Sequence, residues 1–107
     1  MTIPAIETLL RGVCQDTFYL AAPAGLRRYA VYQPLTAGTH SADDRTTLST
    51  IRVQIDLRYV SNSDTLPRDV CAALAAAYIP YTVEDIAYED ETGRMRCIIR
   101  AEVWDNG

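Results

Sequence analysis

The chain has 107 residues, with ten arginines and no lysine, fourteen carboxylates, one histidine, a net charge of −4 and 49% apolar residues. That length holds one core, hence a single domain over residues 1–107, and the apolar share is too high for a disordered chain. Arginines scattered among carboxylates from Arg11 to Arg100 speak against a nucleic-acid binder, and no apolar run reaches the ~18 residues of a membrane span.

The N-terminal stretch Met1 to Glu7 has neither the basic region nor the apolar core of a signal peptide, so the chain is expected to stay in the cytoplasm. Ile6, Leu9, Leu10 and Val13 recur at helical spacing and predict a short first helix, which Thr2 can cap and Gly12 can end. Glu7 and Arg11, four apart with the acid first, suit an exposed ion pair worth about 0.3 kcal/mol. From Cys14 to Arg28, Pro23, Gly25 and several alanines predict an irregular connection, within which Thr17–Leu20 can form a brief extended piece.

Arg28–Gln33 is aromatic and β-branched and is stopped by Pro34, so it reads as the first strand. Pro34–Thr47 is polar apart from Leu35 and longer than an ordinary hairpin loop, a length typical of functional or disordered loops. In the next segment Ile51, Val53, Ile55, Leu57 and Tyr59 alternate without error against Thr50, Arg52, Gln54, Asp56 and Arg58. This is a strand with one buried face, and a one-residue slip would expose all of its apolar side chains.

Ser61-Asn62-Ser63-Asp64 is a turn and capping cluster. Beyond it Leu66, Val70, Leu74 and Tyr78 recur every four residues and predict a second helix, with Pro67 in its first turn and Asp69 near the positive end of its dipole. Pro80 ends it. Tyr81 and Val83 share one phase and Ile86 and Tyr88 the other, so a strand here carries a bulge or break near Glu84-Asp85. After the acidic turn Glu89-Asp90-Glu91-Thr92-Gly93, a last strand from Met95 to Trp104 puts Met95, Cys97, Ile99, Ala101 and Val103 on one face. Arg96, Arg100 and Glu102 take the other, which Ile98 and Trp104 interrupt. The order α-β-β-α-β-β predicts an α+β domain, with two helices packed on a mainly antiparallel four-stranded sheet.

Catalytic equipment is sparse. The cysteines Cys14, Cys71 and Cys97 are odd in number and widely spaced, and read as buried thiols acting as small hydrophobes. His40 with Asp43 and Asp44 forms at most a weak metal or acid-base cluster, more often found as a solvated loop. Glu84-Asp85 and Glu89-Asp90-Glu91 offer oxygens to a hard cation such as calcium but lack EF-hand spacing and read more simply as a solvated turn. Without a phosphate loop, a nucleophile elbow or ligand spacing, the sequence implies no enzyme, no cofactor and no resident metal. An arginine-only cation set suits protein interfaces, although a coding bias explains it equally well. The polar but ordered strand face, the long polar loop and the interruptions at Ile98 and Trp104 together favour a surface for proteins.

Taken in order, Tyr29-Ala30-Val31-Tyr32, the loop Ser41-Ala42-Asp43-Asp44, the strand Ile51-Arg52-Val53-Gln54-Ile55-Asp56-Leu57, a helix, and a final strand after Glu89–Gly93 form a pattern that covers nearly the whole chain. It resembles the tail-completion or tail-terminator proteins of long-tailed bacteriophages. The resemblance implies a structural virion protein assembled in the host cytoplasm. It would form a homo-oligomeric ring, usually a hexamer, at the head-proximal end of the tail tube. There it stops tube polymerisation and joins the tail-tube protein to the head-completion or neck proteins. Such a ring uses heterologous contacts whose register charge pairing can set. The candidate interface residues are Arg52, Gln54, Asp56 and Arg58 on the central strand, Asp43, Asp44 and Arg45 in the loop, and Trp104. An acidic lumen would let DNA pass without specific binding. Two other readings stay open: another neck or head-closure protein, and a small-molecule-binding α+β regulatory domain.

Overall fold

The computed structural model describes residues 3–35 and 49–105. Its elements run α1 (Ile3–Val13), β1 (Thr17–Tyr19), β2 (Tyr29–Pro34), β3 (Ser49–Tyr59), α2 (Leu66–Ala76), β4 (Tyr81–Glu89) and β5 (Arg94–Asp105). The strands form one sheet in the order β1-β2-β3-β5-β4.

This corrects the expected four-stranded sheet and its α-β-β-α-β-β order. The extended piece at Thr17–Tyr19 is a fifth strand, and it runs parallel to β2, so the sheet is mixed. Parallel neighbours usually need a crossover of a dozen residues or more. A three-residue strand advances only about 10 Å, however, so the irregular stretch 20–28 is long enough to return the chain alongside it. Pairing also satisfies β2 on its outer side: the Ala30 N–H donates to Asp16 O at 2.9 Å, and the Leu20 N–H to Tyr32 O at 3.0 Å.

The remaining ladders are antiparallel and follow the alternation of the sequence. On the inner face Val53 lies opposite Ala101, Ile55 opposite Ile99 and Leu57 opposite Cys97, all fully buried. Both helices cover this face. Ile6 and Leu10 of α1 and Leu66, Val70 and Leu74 of α2 are spaced four apart, are fully buried, and join the same core. Cys14 and Cys97 are buried and Cys71 is half-buried, and burial raises the pKa of all three thiols, that of Cys97 to about 11.

The join between α1 and the sheet is polar as well as apolar. The Tyr32 hydroxyl donates to Glu7 on α1, and Glu7 also meets Arg11 at 3.2 Å, the pairing its spacing predicts. Arg11 reaches further and donates to Thr17 O at 3.0 Å, while the buried Thr17 hydroxyl donates to Cys14 O at 2.6 Å. These bonds fix the turn between α1 and β1.

Asp64 organises the start of α2. One carboxylate oxygen accepts from the Leu66 N–H at 2.9 Å, and the pair of oxygens receives the Arg28 guanidinium at 2.9 and 3.1 Å. Arg28 first, aided by the Leu66 amide, outweighs burial and holds the Asp64 pKa below its ordinary value. At the other end the helix stops short of its four-residue period. Tyr78 takes a left-handed conformation with φ 59°, its N–H donates to Ala75 O at 3.0 Å, and the Ile79 N–H donates to Leu74 O at 2.9 Å. This is a Schellman closure with tyrosine where glycine is usual. The helical spacing places Tyr78 with the core, but the left-handed turn rotates it outward to 92% exposure and Ile79 is buried in its stead.

Candidate functional site

With both helices on one side, no layer among the described residues covers the opposite face of the sheet, and this is where the four strand candidates lie. Strand register puts Phe18, Val31, Asp56, Ile98 and Asp85 in one row across all five strands. A second row holds Tyr29, Arg58, Arg96 and Ala87, and a third Gln33, Gln54, Arg100 and Thr82. Arg52 stands opposite Glu102 beyond them. Each strand contributes alternate residues, so the same period that builds the core builds this face.

The charges on it are paired both along β3 and across strands. Arg58 meets Asp56 at 3.1 Å and Glu89 at 2.8 Å, and Arg96 meets Asp85 at 3.0 Å and Glu89 at 3.5 Å. Glu89 therefore bridges two arginines in a chain running Asp56, Arg58, Glu89, Arg96, Asp85. Arg58, Asp56 and Glu89 are only 22–25% exposed at the side chain, so this part of the network is tighter than ordinary surface pairing. Burial opposes the charge of Arg58, but its hydrogen bonds to Asp56 and the fields of Asp56 and Glu89 prevail and raise its pKa. The periphery is looser: Arg100 lies 3.6 Å from Glu84, and Arg52 lies 3.9 Å from Glu102 with both side chains half-exposed. The Nε atoms of Arg96 and Arg100 are buried without a hydrogen-bond acceptor among the described residues.

Between the charges runs an apolar component. Ile98, one of the expected interruptions, lies between Asp56 and Asp85 in its row, and Phe18 and Val31 continue that row toward β1. The acids once considered for calcium are used by arginines: Glu84 by Arg100, Asp85 by Arg96, and Glu89 by Arg58 and Arg96. Among the described residues no group of three or more His, Cys, Asp or Glu side chains could hold a metal ion. A shallow cavity of about 300 Å³ opens at the edge of the face, lined by Arg52, Pro80, Tyr81, Thr82, Glu84, Arg100 and Glu102.

Of the predicted interface residues, Arg52, Gln54, Asp56 and Arg58 share this face. Asp43, Asp44, Arg45 and His40 lie outside the described residues. Trp104 pairs in register with Thr50, and its side chain lies outside what is described. The sequence reading did not assign Glu89, Asp85, Phe18 or Val31 to this face. For Glu89 the signal was hidden in a run of turn acids; for Phe18 it depended on a strand too short to show a period.

Among the described residues no helix is long and apolar enough to cross a membrane. No family model matches the chain, and no curated protein matches it in sequence.

Proposed function

We propose that the protein is a structural assembly subunit, and that its uncovered sheet face is a docking face for other proteins. The supporting observation is the combination on that face of a cross-strand ion-pair network with the apolar side chains Phe18, Val31 and Ile98. A face of this kind offers apolar area for affinity and directed charges for register. In the fuller form of this reading, which rests on the resemblance of the sequence, the chain forms a ring of identical copies, six in most such proteins. The ring ends the tail tube of a long-tailed phage and carries the neck proteins.

The test has two parts. Electron microscopy of the purified chain with polymerising tail-tube protein should show rings at the tube ends and capped tubes of limited length. Ile98→Glu, which puts a third carboxylate beside Asp56 and Asp85, should abolish capping while leaving the fold intact. Tubes that grow unchecked at saturating protein would refute the terminator reading. Capping that survives Ile98→Glu would refute the assigned face.

A further inference from the structure

The two edges of the sheet are unlike. Along β1 the ladder to β2 uses Asp16 O and Leu20 N–H, so Thr17 and Tyr19 turn their backbone groups outward. Those groups are largely spent: Thr17 O accepts from Arg11 at 3.0 Å, the Thr17 N–H donates to Gln15 O at 3.0 Å, and Tyr19 O accepts from the Ala21 N–H at 2.8 Å. That edge is blunted in the manner expected of a protected strand.

The β4 edge is longer and differently made. The Glu102 N–H donates to Pro80 O at 3.0 Å, which sets the phase of the β4–β5 ladder. With the register shift between Val83 and Asp85, Thr82, Asp85, Ala87 and Glu89 turn their backbone groups toward β5. Tyr81, Val83, Ile86 and Tyr88 turn theirs outward. The side chains of the same four residues sit on the helical side of the sheet, where Tyr81 meets Cys71 of α2, and are 38, 41, 56 and 59% exposed. One strip thus carries both backbone groups left unpaired among the described residues and an apolar stripe.

Its sequence is also symmetric by residue type. Tyr81-Thr82-Val83-Glu84-Asp85-Ile86-Ala87-Tyr88 reads tyrosine, small, β-branched, acid from either end. The bulge lies at its centre, so the spacing is symmetric as well. From this we infer that β4 pairs antiparallel with β4 of a second copy about a two-fold axis between Glu84 and Asp85. Tyr81 then faces Tyr88 of the partner subunit, and Val83 faces Ile86 of the partner subunit. Every apolar residue meets an apolar residue, and the outward backbone groups of the four meet one another, as an isologous contact requires. Glu84 and Asp85 meet like charges across the axis. Arg100 and Arg96 stand beside them at 3.6 and 3.0 Å, each with a buried Nε lacking a hydrogen-bond acceptor among the described residues, so each copy brings two guanidinium groups to its two central carboxylates.

The four exposed side chains leave roughly 400 Å² per copy open to water. That is about half of the ~800 Å² per partner of a standard interface, which places the pair among weak, transient contacts. The contact extends the sheet sideways and leaves its uncovered face free, so it does not rest on the ring reading.

Light scattering on the full chain from about 1 to about 100 µM tests it. A concentration-dependent dimer is expected. Ile86→Arg should give a monomer throughout with an unchanged melting temperature, because that side chain is already 56% exposed. The double variant Val83→Glu with Ile86→Arg should restore the dimer, since the proposed register brings each introduced carboxylate opposite an introduced guanidinium twice per pair. A wild-type chain that stays monomeric, an association that Ile86→Arg leaves intact, or a double variant that fails to recover would each overturn the contact. Rings untouched by Ile86→Arg would do so while sustaining the ring reading.

Discussion

Asp64 joins two parts of the chain that lie far apart in sequence, and its removal is the sharpest test of how the second helix is anchored. Its carboxylate accepts from the Leu66 N–H just before α2 and receives the Arg28 guanidinium in a two-pronged bond, with Asp64 itself only 17% exposed at the side chain. Losing the bond to the amide costs about 1 kcal/mol, and a pair whose arginine is 44% exposed adds about 0.5 kcal/mol after solvent screening. Asp64→Ala should therefore destabilise by about 1.5 kcal/mol, a fall of about 8 °C in Tm for a domain of this size. Asp64→Asn keeps an acceptor for the amide and loses only the charge, so it should cost about 0.5 kcal/mol.

The pH dependence separates the two contributions. The folded carboxyl lies below its unfolded pKa of about 3.9, so its stabilisation is complete above that value and is lost as pH falls through the folded one. Urea melts of wild type and Asp64→Asn should differ at pH 7 and converge toward pH 2. An Asp64→Ala loss below about 0.3 kcal/mol, or acid limbs that superimpose over the whole range, would refute the reasoning.

At the alkaline end, burial first and then the Glu7 bond push the Tyr32 phenol up to about 12. Its stabilisation is present below the unfolded value of about 10 and is lost as pH rises toward 12, so Tyr32→Phe should flatten the alkaline limb of stability measured by urea melts. Leu57, fully buried between Ala30 and Cys97, should cost about 3 kcal/mol as Leu57→Ala, read as a lower urea midpoint at unchanged slope. Tyr78→Gly should raise stability by about 1 kcal/mol, because glycine takes φ 59° without strain and Tyr78 is 92% exposed; an equal loss in the same melts would count against the left-handed closure.

How much of this was legible in the sequence depended on length. β3 shows five apolar residues in strict alternation, and its buried face follows from that alone. The bulge at Glu84-Asp85 is equally local, because a change of phase between Val83 and Ile86 has few other causes. β1 has three residues and no period to detect, and its parallel pairing is decided by β2, which needs an outer neighbour for its backbone groups. Tyr78 followed the helical spacing and still left the core, since the alternative closure buries Ile79 instead. Arg52, Gln54, Asp56 and Arg58 could be placed on one face by parity. Their partners on β4 and β5 could not, because which strands flank β3 is a property of the whole sheet.

That arrangement bears on what a protein docking on the uncovered face can gain. Arg58, Asp56, Glu89, Arg96 and Asp85 already satisfy one another, so a partner that recruits any of them must first break a bond that is partly shielded from water. Little net affinity is available from such an exchange. Among the described residues no layer covers the apolar side chains Phe18, Val31 and Ile98, and burying them releases water at about 25 cal/mol per Å². Affinity on this face should accordingly come from that row, while the charges on either side act by rejecting partners whose own charges fall in the wrong register.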